Sequence, residues 1–184
     1  MILKVEKLNF EYENRKILNE VSFELEAGTF LGIVGPNGVG KTTLLHLISK
    51  QLKAHSGKIS IQGKDINKYS HPLLARKIAV VPQDQSSVYG YTAYEIVMMS
   101  RYIHSNSFFF ETKQDHRIVN EAMEVTNTIH LSKQSISHLS AGERQRVFIA
   151  RSIAQQTPIL LMDEPTSNLD IKSQVMVFGL LKKY

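Results

Sequence analysis

The chain has no cysteine among its 184 residues, so it can form neither a disulfide nor a thiolate metal site. It also lacks any apolar run of the roughly 20 residues that a membrane-spanning helix needs. The opening Met1-Ile2-Leu3-Lys4-Val5-Glu6-Lys7 carries no apolar secretion core and no small-residue cleavage site. These absences lead us to expect an intracellular protein. There is no internal repeat and no low-complexity segment, which sets aside solenoids and disordered linkers. Lysine and arginine are dispersed, so the net charge of +5 does not mark a nucleic-acid surface, and no nucleic-acid partner is expected. The remainder is ordinary for a globular chain: 42% hydrophobic, 21% charged, and long enough for one sizeable core.

Against that background one segment stands out. Residues 35–42 read Gly-Pro-Asn-Gly-Val-Gly-Lys-Thr and fit the phosphate-binding pattern G-x-x-x-x-G-K-[ST]. The apolar run before it, Phe30-Leu31-Gly32-Ile33-Val34, predicts a buried parallel strand. Thr43-Leu44-Leu45-His46-Leu47-Ile48 after it has helical spacing. Gly35, Gly38 and Gly40 permit backbone conformations that a Cβ would block. Backbone N–H groups then converge on phosphate oxygens at the positive end of a helix. Lys41 places an ammonium on the β- and γ-phosphates, and Thr42 offers a hydroxyl to Mg²⁺. Pro36, Asn37, Val39 and Thr43 complete the stretch expected to line a bound nucleotide. The competing reading is a glycine-rich turn that happens to precede Lys-Thr.

A second segment, Ile159-Leu160-Leu161-Met162-Asp163-Glu164, is an apolar strand that ends in two acids. Asp163 at a strand end suits Mg²⁺, through water, beside Thr42. Glu164, one residue on, suits polarisation of a water for attack on a γ-phosphate. The competing reading is a polar strand exit turned by Pro165.

The rest of the chain supplies a frame. Residues 2–12 alternate in part, and Val21-Ser22-Phe23-Glu24-Leu25 alternates more clearly before the Ala27-Gly28 turn. Lys58-Ile59-Ser60-Ile61 reads as a strand opened by Ser56-Gly57 and closed by Gly63. Ile78-Ala79-Val80-Val81 reads as a buried strand stopped by Pro82. Residues 92–102, 113–129 and 141–155 read as helices, 158–162 as a parallel strand, and a final helix is expected from near Asp170. The order is a β-rich start, a parallel α/β core, a helical insertion and a return to the core.

Leu139-Ser140-Ala141-Gly142-Glu143-Arg144-Gln145-Arg146 resembles the signature motif of ATP-binding cassette (ABC) ATPases. With residues 35–43 and 159–164, it identifies the chain as similar to that family over essentially its whole length. Val81-Pro82-Gln83 resembles the Q-loop, and Ser167-Asn168-Leu169-Asp170 resembles the D-loop. Tyr12 resembles the aromatic residue that stacks on adenine; the alternative for it is a strand aromatic in the core. The resemblance implies an α/β fold: a P-loop NTPase (RecA-like) core, an N-terminal antiparallel β subdomain and an inserted α-helical subdomain. It implies a single nucleotide-binding domain over 1–184, with core residues 1–86 and 139–184 and helical residues 87–138. It implies ATP and Mg²⁺ as cofactors, with Thr42, Gln83 and Asp163 at the metal and Glu164, Gln83, Lys41 and Ser140 in catalysis. Ser140 and Gly142 would close on the γ-phosphate held by a second copy of the chain. Ser140 also reads as a plain helix N-cap with Glu143 completing a capping box, and both readings are expected to hold at once. Ala141 departs from the glycine usual at its position.

The resemblance further implies a motor subunit on the cytoplasmic side of the cell membrane, peripheral to it. Its partners would be transmembrane permease subunits and, indirectly, a substrate-binding protein. Tyr91–Tyr102, the aromatic Phe108-Phe109-Phe110 and Asn168–Gln174 look like the ATPases of bacterial importers for iron-siderophores, haem and cobalamin. Residues 83–110 would face the permease, with Phe108–Phe110 either in that contact or packed within the helical subdomain; charge reversal at Arg101 or truncation of Phe109 that left membrane association intact would count against the contact. All seven histidines precede Asp163, so none stands where the family places a histidine beyond the D-loop. The expectation is therefore a cassette incomplete at its C-terminus, impaired in hydrolysis. Two alternatives are a soluble ABC ATPase acting on ribosomes or DNA, and a fragment that binds ATP without turning it over.

Overall fold

Two-residue turns at glycine, asparagine and acidic positions organise the first part of the chain. In the computed structural model, which describes residues 1–83, 90–104, 111–165, 174 and 179, strand β1 (Leu3–Tyr12) turns back into β2 (Arg15–Leu25). Glu13 and Asn14 both take positive φ there, 44° and 69°, the twist that matches a tight hairpin. Strand β3 (Ser56–Ile61) turns into the short β4 (Lys64–Asp65) through Gln62 and Gly63 at φ 50° and 77°. The four strands form an antiparallel sheet in the order β2-β1-β3-β4. Packing groups these strands and the helix that follows the phosphate-loop motif into one unit, Met1–Ile78, and the rest into a second, Ala79–Tyr184.

Strand β1 buries Leu3, Val5, Leu8 and Phe10, a series that skips a step between Val5 and Leu8. Strict alternation would send Leu8 to the wrong face. A bulge at Lys7, φ 44°, restores it, and the registers with both β2 and β3 shift across the same stretch. Asn9 fixes the bulged strand to both neighbours. Its amide nitrogen donates to Ser56 Oγ on β3 at 3.0 Å and to Lys7 O at 2.9 Å, and its Oδ1 accepts from Glu20 N on β2 at 3.0 Å. Helix α1 (Lys41–Ile48) buries Leu44, Leu47 and Ile48, and the short α2 (His71–Ala75) buries Leu74.

The expected strand over residues 30–34 is not formed. Phe30 is 74% exposed and Val34 95%, and no strand of this unit pairs with them. An apolar run becomes a parallel strand only when neighbours satisfy its N–H and C=O groups. Composition alone does not provide those neighbours.

In the second unit β5 (Ile78–Val81), whose first residue belongs to the first unit, pairs with β6 (Ile159–Met162). Helices α3 (Ala93–Met98), α4 (Lys113–Val125) and α5 (Ala141–Ala154) pack on one core with Val81. Ile96, Val97, Val119, Met123, Val147 and Ile149 are essentially sealed from solvent there, and each contributes roughly 1.5–3 kcal/mol of burial. The helix expected over 92–102 tightens into a 3-10 turn, Met99–Ile103, where Ser100 Oγ donates to Val97 O at 2.7 Å. The helix expected to reach residue 129 stops at Val125. Asn127 takes the left-handed conformation, φ 52°, and Thr128 N donates back to Met123 O at 2.8 Å, as in a Schellman cap.

Arg101 does not face outward as a permease contact would require. It is 7% exposed, with Nε on Asp115 Oδ1 at 2.9 Å and Nη1 on Ala154 O at 2.7 Å and Gln156 Oε1 at 3.1 Å. It joins the 3-10 turn after α3 to the ends of α4 and α5. The final helix expected near Asp170 lies outside the described residues.

Candidate active site

The phosphate-loop motif, Gly35–Thr42, takes the shape that its glycines predict at two positions. Gly38 has φ 78° and Gly40 φ 104°, whereas Gly35 does not need a positive φ. Gly40 is the N-cap of α1 and supplies no side-chain cap, and no acid lies in the helix's first turn. The helix's leading N–H groups are therefore left without a side-chain acceptor at its positive end. This is the reverse of α3, α4 and α5. Each of those opens with a complete capping box, Thr92/Glu95, Thr112/Asp115 and Ser140/Glu143. An N-terminus open to an incoming anion, with Thr42 and Thr43 in its first turn, fits the triphosphate of ATP.

Lys41 turns back over its own loop. Its ammonium donates to Gly35 O at 2.9 Å and Pro36 O at 3.0 Å, which keeps the loop curled and leaves one of three donors for a phosphate oxygen. The loop is also seated against the hairpin that carries Tyr12. A Cβ on Gly40 would stand 2.8 Å from Ile17 Cγ2 and 3.0 Å from Leu18 Cδ2, both on β2. Tyr12 pairs with Arg15 at the end of that hairpin and is 45% exposed, so it is not a core aromatic. Phe10 fills that role and meets the Tyr12 ring edge-on, with centroids 4.8 Å apart. Phe10 also touches His55, at 5.2 Å, a neighbour that the sequence pattern did not single out.

In the second unit the ends of β5 and β6 carry the expected acids and the Q-loop glutamine. Asp163 N donates to Val81 O at 3.2 Å, and one step further Gln83 Nε2 donates to Glu164 Oε2 at 2.8 Å. The two strands thus run the same way, and both leave the sheet at the same end. Asp163 is 8% exposed, whereas Glu164 and Gln83 are exposed. Glu164 takes φ 44°, a left-handed backbone that an L-residue adopts at a cost. The direct Gln83–Glu164 bond was not foreseen. Its signal is that both residues lie just beyond apolar strand runs that pair.

Ser140 is the exposed N-cap of α5, with Gly142 inside the first turn. Its Oγ donates to Glu143 Oε2 at 2.6 Å, its backbone N–H donates to the same oxygen at 2.9 Å, and Glu143 N donates back to Ser140 Oγ at 3.3 Å. Those bonds, the hydroxyl's first, hold the Glu143 carboxyl below the usual range. Ala141 is the first residue of the helix and does not take a positive φ, so alanine meets no backbone penalty where glycine is usual. The D-loop residues Ser167–Asp170 and the aromatic Phe108–Phe110 lie outside the described residues. Among the described residues, no group of three or more His, Asp or Glu side chains is placed to hold a metal. No helix among them is long and apolar enough to cross a membrane.

Comparison with known proteins bears on this arrangement. The family model described as ABC transporter matches residues 18–167. An uncharacterised ABC transporter ATP-binding protein of Bacillus subtilis, YvrA, is 41% identical over 98% of this chain and 41% of its own length. The iron(3+)-hydroxamate import ATP-binding protein FhuC of the same organism is 35% identical over 98% of this chain and 67% of its own length. Among solved structures, cbiO1 from Clostridium perfringens, part of the ABC transporter complex cbiONQ, superposes with a TM-score of 0.84. It is 30% identical, over 99% of this chain and 72% of that one. The chain thus spans from two fifths to two thirds of the length of the two curated relatives.

Proposed function

The chain belongs to the ABC transporter family of ATP-binding proteins, and on that premise we propose that it binds and hydrolyses ATP as the motor subunit of a bacterial importer. The observation that carries this reading is the uncapped N-terminus of α1 beneath the Gly38–Gly40 loop, with Lys41 curled over it. Bound ATP and Mg²⁺ supply the transferable phosphoryl group and the charge that polarises it. Gly35–Thr43 cradle the phosphates by backbone N–H groups, and Lys41 neutralises them. Thr42 and Asp163 offer the metal a hydroxyl and a carboxylate, and Gln83 offers its amide oxygen. Glu164 orients and deprotonates the attacking water. Tyr12 presents an exposed ring to the adenine, a stacking contact of roughly 1–3 kcal/mol with little base selectivity.

In this reading two copies close around two nucleotides, with Ser140 and Gly142 of each copy meeting the γ-phosphate held by the other. Closure drives permease subunits at the cytoplasmic face of the membrane, and hydrolysis resets them. An iron-siderophore, haem or cobalamin cargo is supported by the Tyr91–Tyr102 pattern and, for the iron-chelate case, by the likeness to the iron(3+)-hydroxamate import protein FhuC. The subdomain division, 87–138 against 1–86 and 139–184, belongs to the same proposal. The test is ATP titration and phosphate release by the chain, by Lys41→Ala and by Glu164→Gln. Loss of binding in the first, and binding without turnover in the second, are expected. Unimpaired ATP affinity in Lys41→Ala would sink the reading. Co-purification with ribosomes or DNA rather than membranes would replace the importer by a soluble ABC ATPase.

A further inference from the structure

Ser140 has two donors, one hydroxyl hydrogen and one backbone N–H, and a single oxygen of Glu143 takes both, at 2.6 and 2.9 Å. A hydroxyl carries only one hydrogen. The same Ser140 hydrogen therefore cannot go to the Glu143 carboxylate and to a phosphate at the same moment. The cap itself, Glu143 N–H to Ser140 Oγ at 3.3 Å, uses no hydroxyl hydrogen and persists when the hydroxyl turns to a phosphate. A carboxylate also sits where the helix field favours an anion, so an arriving phosphate meets an occupied position and a like charge.

A receiver for the displaced carboxylate is present. Arg146 lies three residues along α5, on the same face as Glu143. Its Nε is buried and has no hydrogen-bond partner among the described residues. The Arg146 charge already acts on the Glu143 carboxyl. Leaving a buried guanidinium nitrogen unsatisfied is costly, and a carboxylate is its best acceptor.

We propose that Glu143 gates the signature end of α5: it holds Ser140 closed in the open protein and passes to Arg146 when a nucleotide-loaded second copy docks. This rests on the reading that Ser140 meets a γ-phosphate. The gate sets the ATP concentration at which two copies close, and its charge weakens closure. Charge-assisted hydrogen bonds are roughly twice as strong as neutral ones. Glu143→Gln keeps the shape of the capping box without the charge.

The experiment measures the dimer dissociation constant by sedimentation, with Mg-ATP, in a Glu164→Gln background that retains nucleotide. Glu143→Gln should tighten the dimer about 25-fold, about fivefold at each of two sites, which is about 1 kcal/mol per site. Glu143→Asp keeps the charge and should give no tightening. Arg146→Met removes the receiver and should loosen the dimer several-fold. The thermal midpoint without nucleotide should fall slightly in Glu143→Gln, since the helix loses a favourable charge. A cap with no gating role would lower that midpoint and leave the dimer unchanged or weaker, and this would overturn the inference. If all variants dimerise equally, only the gate falls. If no form dimerises with ATP, the composite-site reading falls and takes the gate with it.

Discussion

Gly40 joins the fold to the site, and replacing it by alanine tests both. Its φ of 104° lies beyond the ordinary left-handed well, and such a backbone costs an L-residue about 1–3 kcal/mol. The new methyl would also stand 2.8 Å from Ile17 Cγ2 and 3.0 Å from Leu18 Cδ2, an overpacking of about 1–3 kcal/mol. Gly40→Ala should therefore lose about 2–6 kcal/mol. Gly38 provides the control: φ is 78° and no heavy atom lies within 4 Å of its would-be Cβ. Gly38→Ala should lose only the backbone part, about 1–2 kcal/mol. Urea unfolding followed by circular dichroism reads the difference; the chain has no tryptophan to report it. Ile17→Ala removes the methyl in the way, so the double variant Gly40→Ala/Ile17→Ala should lose less than the sum of the two single changes. Equal losses at Gly38 and Gly40, or a Gly40→Ala within about 0.5 kcal/mol of the parent, would refute the steric reasoning. ATP affinity should fall in both glycine variants, since each distorts the phosphate cradle.

Three other outcomes follow from described contacts. Arg101→Met should destabilise by about 3–5 kcal/mol in urea, because it leaves Asp115 and the Ala154 carbonyl without a buried partner. A change below about 1 kcal/mol would return Arg101 to the surface role that its sequence position suggested. Gln83→Ala should leave thermal stability within about 0.5 kcal/mol, as an exposed change does, while lowering turnover at least about tenfold through Glu164. Acid should melt the helical unit. Bonds from the Thr92 backbone and side chain lower the Glu95 carboxyl, and those from Ser140 lower Glu143. At Asp115, burial pushes upward, but bonds from Thr112 and the Arg101 charge outweigh it and the carboxyl is lowered. A lowered folded value means that stability is complete above the unfolded carboxylate value of about 4 and is lost as pH falls through the folded values. Asp115→Asn should flatten this dependence, and an unchanged acid midpoint would contradict it.

Most of the strands and helices were legible because periodicity and turn chemistry agree in them. β3, β5 and β6 have apolar runs closed by glycine, proline or acids, and α5 announces itself by Ser140 and Glu143 three residues apart. The bulge at Lys7 was not legible, since it depends on how β1 meets two neighbours at once. The strand expected at residues 30–34 failed for the same reason: it required partners, and its own residues do not specify them. Arg101 misled because a charged residue after an apolar helix reads as solvent-facing until its acceptors, at Asp115, Ala154 and Gln156, are brought from far along the chain. The phosphate loop and the two carboxylates were legible as motifs. Glu143 on Ser140 was legible too, as the far end of a capping box, whereas the bond from Gln83 to Glu164 depends on how two distant strand ends meet.

Asn9 holds three strands with one side chain, and this limits how the first unit can vary. Because its amide spans β3 and β2 beside a bulge, β1 cannot slide by two residues, the step that would otherwise preserve its buried face. Tyr12, three residues further along, therefore keeps a fixed distance from that anchor. A single-residue insertion or deletion between Lys7 and Tyr12 would detach the anchor or turn the aromatic tip to the opposite face. Length changes in this hairpin should be tolerated at Glu13-Asn14, beyond the tip, and nowhere along β1 behind it.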